Sequence, residues 1–189
     1  RCRRDRYQPK AGKDRLINRV ADFLSANGFH EAMSNSLTKS AYFENIESFP
    51  VQTLAHIVNP LSNDLNVMRP TLIFSGLEAI AYNINRRNGN LRLYEFGNSY
   101  SMNPDKDVTK LEAYSERYLL SMFVTGTEGI SSWNSKPVEQ TFFHLKGMVE
   151  MLLERFGINL EAITEEPVSS LYLSDGLAYK LNGKTLDES

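Results

Sequence analysis

The 189-residue sequence predicts an α+β fold built on a largely antiparallel sheet, and three observations carry that prediction. Three stretches keep apolar residues at helical spacing. Two short extended stretches face each other across Asn182-Gly183, a strong two-residue hairpin signal. The connections between the helices are long and non-helical, unlike the short loops of a doubly wound parallel sheet.

The first helix is read over residues 14–27, where Leu16, Ile17, Val20, Phe23 and Leu24 form one apolar stripe and Asn27-Gly28 supplies the stop. An extended segment, Phe29 to Leu37, follows. A helical turn around Ser40–Ile46 comes next, then a strand at His56–Val58 ended by Asn59-Pro60. The second helix is predicted from Thr71 to Asn88. Pro70 stands at its start, where proline is tolerated, Ile73, Leu77, Ile80 and Ile84 make its stripe, and Asn88-Gly89 closes it. Leu91–Gly97 reads as a strand and residues 101–115 as a polar loop. Tyr118–Thr125 (YLLSMFVT) is almost continuously apolar, as a strand covered on both faces would be. The third helix is predicted over Phe143–Phe156, with Leu145, Met148, Val149, Leu152, Leu153 and Phe156 in rhythm and Gly157 after it. Leu177–Leu181 and Lys184–Leu186 form the hairpin. Its second arm runs into Ser189, so the parent domain is expected to continue.

Composition narrows the class. Hydrophobic residues are 41% and charged residues 23% of the chain, enough apolar surface for a real core. No apolar run is long enough to cross a membrane as a helix, and a single cysteine, Cys2, excludes a disulfide scaffold and a multi-cysteine zinc site. The first residue is Arg, without an apolar signal segment after it, so a cytoplasmic piece of a longer polypeptide is expected. Residues 1–19 carry eight Lys and Arg against Asp5 and Asp14, so an overall net charge of −2 leaves the rest near −8. Residues 1–13 therefore read as a basic linker from a preceding domain and residues 14–189 as the folded core. An RNA or DNA footprint is the other reading of the arm.

Catalytic motifs are missing on spacing alone. Gly183-Lys184-Thr185 resembles the tail of a phosphate-binding loop, but that motif needs glycine at position 178, which is Ala178. His30, His56 and His144 are far apart and read as structural. Cys2 has no partner for a nucleophile role. Glu165 and Glu166 are adjacent, so on a strand they would point to opposite faces. Trp133 reads as a core or interface filler.

Three strings, in order, carry a resemblance: G-F-H-E-A-M-S-N-S-L at Gly28–Leu37; N-P-L-S-N-D-L-N-V-M-R-P-T-L at Asn59–Leu72, leading into L-R-L-Y-E-F-G-N-S-Y at Leu91–Tyr100; and F-F-H-L-K-G-M-V-E-M-L-L at Phe142–Leu153. Over residues 10–186 the chain resembles the catalytic-like core of the β-subunit family of bacterial phenylalanine–tRNA ligases. The resemblance implies a class II synthetase fold, an antiparallel sheet flanked by helices. It implies an (αβ)2 enzyme that uses ATP and Mg2+ to attach phenylalanine to its tRNA. The active site then lies in the α subunit, and tRNA contacts, editing and the Mg2+-linked acidic cluster lie in other domains. No cofactor and no catalytic or metal-binding residue is expected in this chain.

Working class II sites use an Arg-x-Glu pair on one strand face, the guanidinium gripping the ATP α-phosphate. The sequence contains no R-x-E. Arg92 and Glu95 are three apart and face opposite sides of a strand. Aligning Gly97-Asn98-Ser99-Tyr100 with the start of the α-subunit motif puts the arginine's place at Ser101, and serine cannot replace a bidentate cation. The third class II motif would fall beyond Ser189.

The resemblance makes the first helix and strand a subunit-interface element. Leu16, Val20, Phe23 and Leu24 are expected to pack partly on this domain's sheet and partly on a partner helix, with a purely intradomain core as the alternative. Asn59, Pro60, Arg69, Pro70, Glu95, Gly97, Lys146 and Gly147 carry over as fold signatures. Arg69 has a second reading, a contact to a partner carboxylate or to RNA. The expected role is a non-catalytic assembly domain. A working class II adenylate-forming ligase and an RNA-binding module led by the arm are the rivals.

Overall fold

A computed structural model describes residues 12–60, 62, 64–128, 134, 136–168, 176–181 and 184–185. The arm over residues 1–11, Trp133 and the Asn182-Gly183 turn lie outside these.

The chain runs α1 (Lys13–Ala26), β1 (His30–Glu31), β2 (Leu37–Thr38), β3 (Val67–Met68), α2 (Ile73–Ile84), β4 (Leu91–Met102), β5 (Tyr114–Thr125), β6 (Thr127–Glu128), β7 (Val138–Glu139), α3 (Phe142–Arg155), β8 (Ile163–Pro167), β9 (Leu177–Leu181) and β10 (Lys184–Thr185). The central sheet has the order β1-β4-β5, with β1 parallel to β4 and β4 antiparallel to β5 from Leu91↔Thr125 to Met102↔Tyr114. A second antiparallel sheet has the order β10-β9-β8, and β2-β3 and β6-β7 are two-stranded. The fold is α+β and mostly antiparallel.

The core forms where α1 and α3 bury their stripes on one sheet face: Val20, Leu24, Phe29, Tyr94, Met148 and Leu152, with Leu120, Met122 and Val124 of β5 against them. The opposite face meets α2, where buried Gly76 lets the Phe123 ring approach the helix backbone. Thus β5 is covered from both sides. A second cluster, Phe43, Leu54 and Val67 with Phe74, Tyr42 and Phe49 around it, anchors the segment between β2 and β3.

Caps explain the helix ends. Asn27 N–H donates to Phe23 and Leu24 carbonyls, and Gly28 at φ 80 turns the chain out of α1. Thr141 and His144 form a reciprocal capping box on α3, and Gly157 at φ 76 follows its end.

Several spans differ from the sequence reading. The Phe29–Leu37 strand is only two residues of ladder at β1, because Ser34 turns its N–H and hydroxyl to a side chain of β4 instead of to a neighbouring strand. His56–Val58 is a single bridge, His56 to Val67. α2 stops short of Asn88: Arg87, at φ 64, supplies the left-handed turn assigned to Gly89. The loop predicted over 101–115 is shorter, since β4 and β5 stay paired to Met102 and from Tyr114; their polar residues hid the ladder. β8 has no alternating apolar signal, yet it pairs with all of β9. There Glu165 binds Lys146 of α3 and Glu166 binds Lys180, so the two carboxylates do diverge. The β9–β10 register, Leu181↔Lys184, is that of the predicted hairpin.

Candidate functional site

The odd-numbered residues of β4 (Glu95, Gly97, Ser99, Ser101) share one sheet face. Glu95 is 1% and Ser99 3% exposed, and Gly97 is buried between them. Glu95 and Gly97 are covered by Arg69, immediately after β3 and 4% exposed. Its Nη1 donates to Glu95 Oε1 at 2.7 Å, to Ser34 Oγ at 3.3 Å and to the Asn35 carbonyl at 3.4 Å, and its Nε donates to the Asn98 carbonyl at 3.1 Å. Glu95 also accepts from Ser34 N–H at 3.2 Å and from the Ser34 hydroxyl. Arg69's backbone is tied on both sides: its N–H donates to Ser36 O and its carbonyl accepts from Tyr100 N–H, both at 2.9 Å. A charge pair taken out of water is tolerated only when its remaining donors and acceptors are met, and this network occupies both Glu95 oxygens and the Nε and Nη1 of Arg69.

Gly97 is part of the same construction. A Cβ there would overlap the Arg69 guanidinium and come within 2.8 Å of Leu72 Cδ2. Glycine is required by close approach, since nothing larger than hydrogen fits under Arg69.

Three of the eight signature residues, Arg69, Glu95 and Gly97, therefore converge, with Pro70 buried beside them. The second reading of Arg69 is overturned: its guanidinium is spent on Glu95 inside the domain and is closed to a partner carboxylate or RNA. Lys146 and Gly147 lie elsewhere, on α3. Lys146 bridges to Glu165 at 2.7 Å and Glu150 at 3.6 Å, and the Glu165 hydrogen bond holds its pKa above the ordinary lysine value. Gly147 faces open space beside a cavity of about 240 Å³ lined in part by Phe29, Val124, Phe143 and Met151. Asn59 and Pro60 are exposed and apart from both groups. Ser34 escaped the sequence reading, although S-N-S inside the extended string was its visible trace.

Arg92 and Glu95 go to opposite faces. Arg92 pairs with Glu128 at 2.5 Å and donates to the Asn27 carbonyl at 3.2 Å. Its charge, first through that hydrogen bond, holds the Glu128 carboxyl below the usual range. His144 is engaged with Thr141 in the α3 cap.

Of the stripe Leu16, Val20, Phe23, Leu24, Val20 and Leu24 are buried in this domain's core, Phe23 is half-buried beneath Arg155, and Leu16 is 49% exposed.

Beyond Ser99 the face opens at Ser101, which is exposed. A cavity of about 490 Å³ there is lined in part by Phe49, Ser101, Asn103, Lys106, Glu112 and Arg117. Ser101 contributes a hydroxyl to this cavity, and Lys106 Nζ is turned to the Glu112 carbonyl at 3.1 Å. Among the described residues no group of three or more His, Cys, Asp or Glu could hold a metal, and no helix is long and apolar enough to cross a membrane.

Residues 5–183 match the family model described as the phenylalanyl tRNA synthetase beta chain CLM domain. Phenylalanine–tRNA ligase beta subunits from Bacteroides fragilis and Porphyromonas gingivalis are 40% and 36% identical over 90% and 88% of this chain. The matched part is 21% of the length of each of those relatives. Among solved structures, a pyrrolysyl-tRNA synthetase from Desulfitobacterium hafniense superposes with a TM-score of 0.63 at 18% identity, over 92% of this chain and 54% of that one. An ATP phosphoribosyltransferase regulatory subunit/histidyl-tRNA synthetase from Bacillus halodurans gives 0.55 at 16% identity, over 82% and 37%. The fold is that of a class II aminoacyl-tRNA synthetase core.

Proposed function

Because the chain belongs to the phenylalanyl-tRNA synthetase β-chain CLM domain family, we propose that it is a non-catalytic assembly domain of a phenylalanine–tRNA ligase β subunit. It docks a synthetase-like α subunit in an (αβ)2 cytoplasmic enzyme and leaves ATP- and Mg2+-dependent attachment of phenylalanine to that partner. Contact with tRNA falls to other domains of the complex.

The observation that carries this reading is the filled strand face. Where a class II enzyme presents an arginine to ATP, this chain has Ser101, and the adjoining strip from Glu95 to Ser99 is buried under Arg69 and Leu72. An internal ion pair stands where a substrate would need open surface. Within α1, the exposed Leu16 and half-buried Phe23 are the parts of the stripe left to meet the α subunit, since Val20 and Leu24 are used in the core.

Native mass spectrometry of the tagged full-length protein from its own cells tests the assignment. An (αβ)2 mass with a second synthetase-like chain is the expected result. A homodimer or monomer that binds ATP alone would overturn it in favour of an adenylate-forming ligase. Deleting residues 1–13 is expected to leave assembly unchanged; loss of a salt-dependent RNA affinity on that deletion would favour the RNA-binding reading.

A further inference from the structure

The capping box of α3 contains a titratable residue. Thr141 N–H donates to His144 Nδ1 at 3.0 Å, the Thr141 hydroxyl lies 2.9 Å from the same nitrogen, and His144 N–H donates to the Thr141 carbonyl at 3.0 Å. A backbone N–H can only donate, so Nδ1 is the unprotonated nitrogen of the neutral ring and Nε2 carries the hydrogen. Glutamate or glutamine ordinarily fills this third helical position, and neither gives up its acceptor near neutral pH. Histidine is the side chain that does, because its charge changes between pH 5 and 8. A proton on Nδ1 would face the Thr141 N–H donor to donor.

The ring has a second partner. His144 Nε2 lies 3.9 Å from Glu128 Oε2, while Arg92 takes the other oxygen, Oε1, at 2.5 Å. The Arg92 hydrogen bond keeps the Glu128 carboxyl below the usual range and Gln140 adds a further bond, so Glu128 is a carboxylate wherever a histidine titrates. An approach of about 1 Å brings Nε2 to charge-assisted hydrogen-bond distance. Arg92 and Glu128 are the charged groups that line the cavity beside the ring. On α3 itself Lys146 and Glu150 are engaged with Glu165 and Tyr179, and Lys136 and Glu139, before the helix, are exposed. Little else restrains the first turn: Phe142 and Phe143 are 44% and 76% exposed and pack edge-to-face on each other.

We propose that His144 is a pH-operated cap. Neutral, it closes the first turn of α3; protonated from solvent at Nδ1, it releases the Thr141 N–H and moves to Glu128, and the turn loosens around Phe142 and Phe143. The helix dipole acts in the same direction, since a cation at a helix N-terminus is unfavourable. Phe143 and His144 line the cavity of about 240 Å³ together with Val124 and Met148, so the turn is also the rim of that cavity and acid widens its mouth. The switch is independent of the assembly role.

Hydrogen exchange of the full-length protein between pH 8 and pH 5, corrected for the intrinsic pH dependence of amide exchange, tests it. Protection of the amides from Thr141 to Lys146 is expected to fall about fivefold on acidification, the contribution of one helix cap, with the β4–β5 ladder unchanged. His144→Gln keeps an acceptor that does not titrate and is expected to hold full protection at both ends. His144→Ala is expected to show the loosened turn even at pH 8. Glu128→Gln removes the charge that receives the ring and is expected to shift the midpoint to lower pH. The same acid loosening in His144→Gln would overturn the proposal, as would a wild type equally protected at both pH values. Loosening that reaches the β4–β5 ladder to the same extent would mark general acid destabilisation and overturn it too.

Discussion

The Arg69 guanidinium meets the Glu95 carboxylate at 2.7 Å with both side chains almost wholly shielded from water, at 5% and 2% exposure. The pair joins three separated stretches of chain: Ser34–Ser36, the residue after β3, and β4. It couples the first two of the three strings that carry the family resemblance into one structural unit.

Removing one member strands the other. Arg69→Met or Glu95→Leu alone is expected to destabilise the fold by about 3–5 kcal/mol, because an uncompensated charge remains buried. The double variant is expected to lose much less than the sum, since two apolar side chains can share the space. Denaturant unfolding of the wild type, the two singles and the double gives the coupling directly. Additive losses would contradict the pairing.

Gly97→Ala places a methyl group against the Arg69 guanidinium and Leu72. Both neighbours are packed, so a cost of about 1–3 kcal/mol is expected from overpacking. Hydrogen exchange locates the damage: the Ser34 amide, which donates to Glu95, should exchange faster.

Gly76→Ala makes the corresponding test on α2. Alanine favours a helix over glycine by up to about 1 kcal/mol, but here its methyl would overlap the Phe123 ring. A net loss of about 1–3 kcal/mol is expected. Phe123→Leu in the same chain should recover part of it, measured as a positive coupling in a double-mutant cycle.

The Tyr179 hydroxyl is pushed up to about 12, first by burial and then by the Glu150 carboxylate to which it donates at 3.2 Å. In the unfolded chain it would ionise near its ordinary value of 10.0. Between those two values the unfolded state gives up the proton and the folded state keeps it. Stability from this group is therefore full below the lower value and falls as pH rises to the upper one. Tyr179→Phe should flatten part of the alkaline fall in unfolding free energy, whereas an identical pH profile would show the hydroxyl is not held.

The sequence was legible where one residue type had one physical job. The α1 and α3 stripes, the Gly28 and Gly157 stops and the β9–β10 register all depend on local pattern. Strand ends were hidden where polar side chains serve distant partners: buried Ser99 turns its hydroxyl to the Arg117 carbonyl, and Ser34 abandons the ladder for Glu95. The α2 terminus misled because Arg87 occupies a glycine's conformation. Arg69, Glu95 and Gly97 were each singled out by resemblance, but nothing local in R-P-T or E-F-G says that they touch. That contact is tertiary, 26 residues apart.

The β4–β5 ladder closes on an eleven-residue connection, from Met102 to Tyr114, while Glu95 waits for Arg69 and Ser34 to arrive from elsewhere in the chain. Loop-closure entropy favours the hairpin first. The ion pair is then expected to form late, so Arg69→Met should speed unfolding more than it slows refolding in stopped-flow kinetics. A domain closed by such a contact would owe its persistence to slow opening.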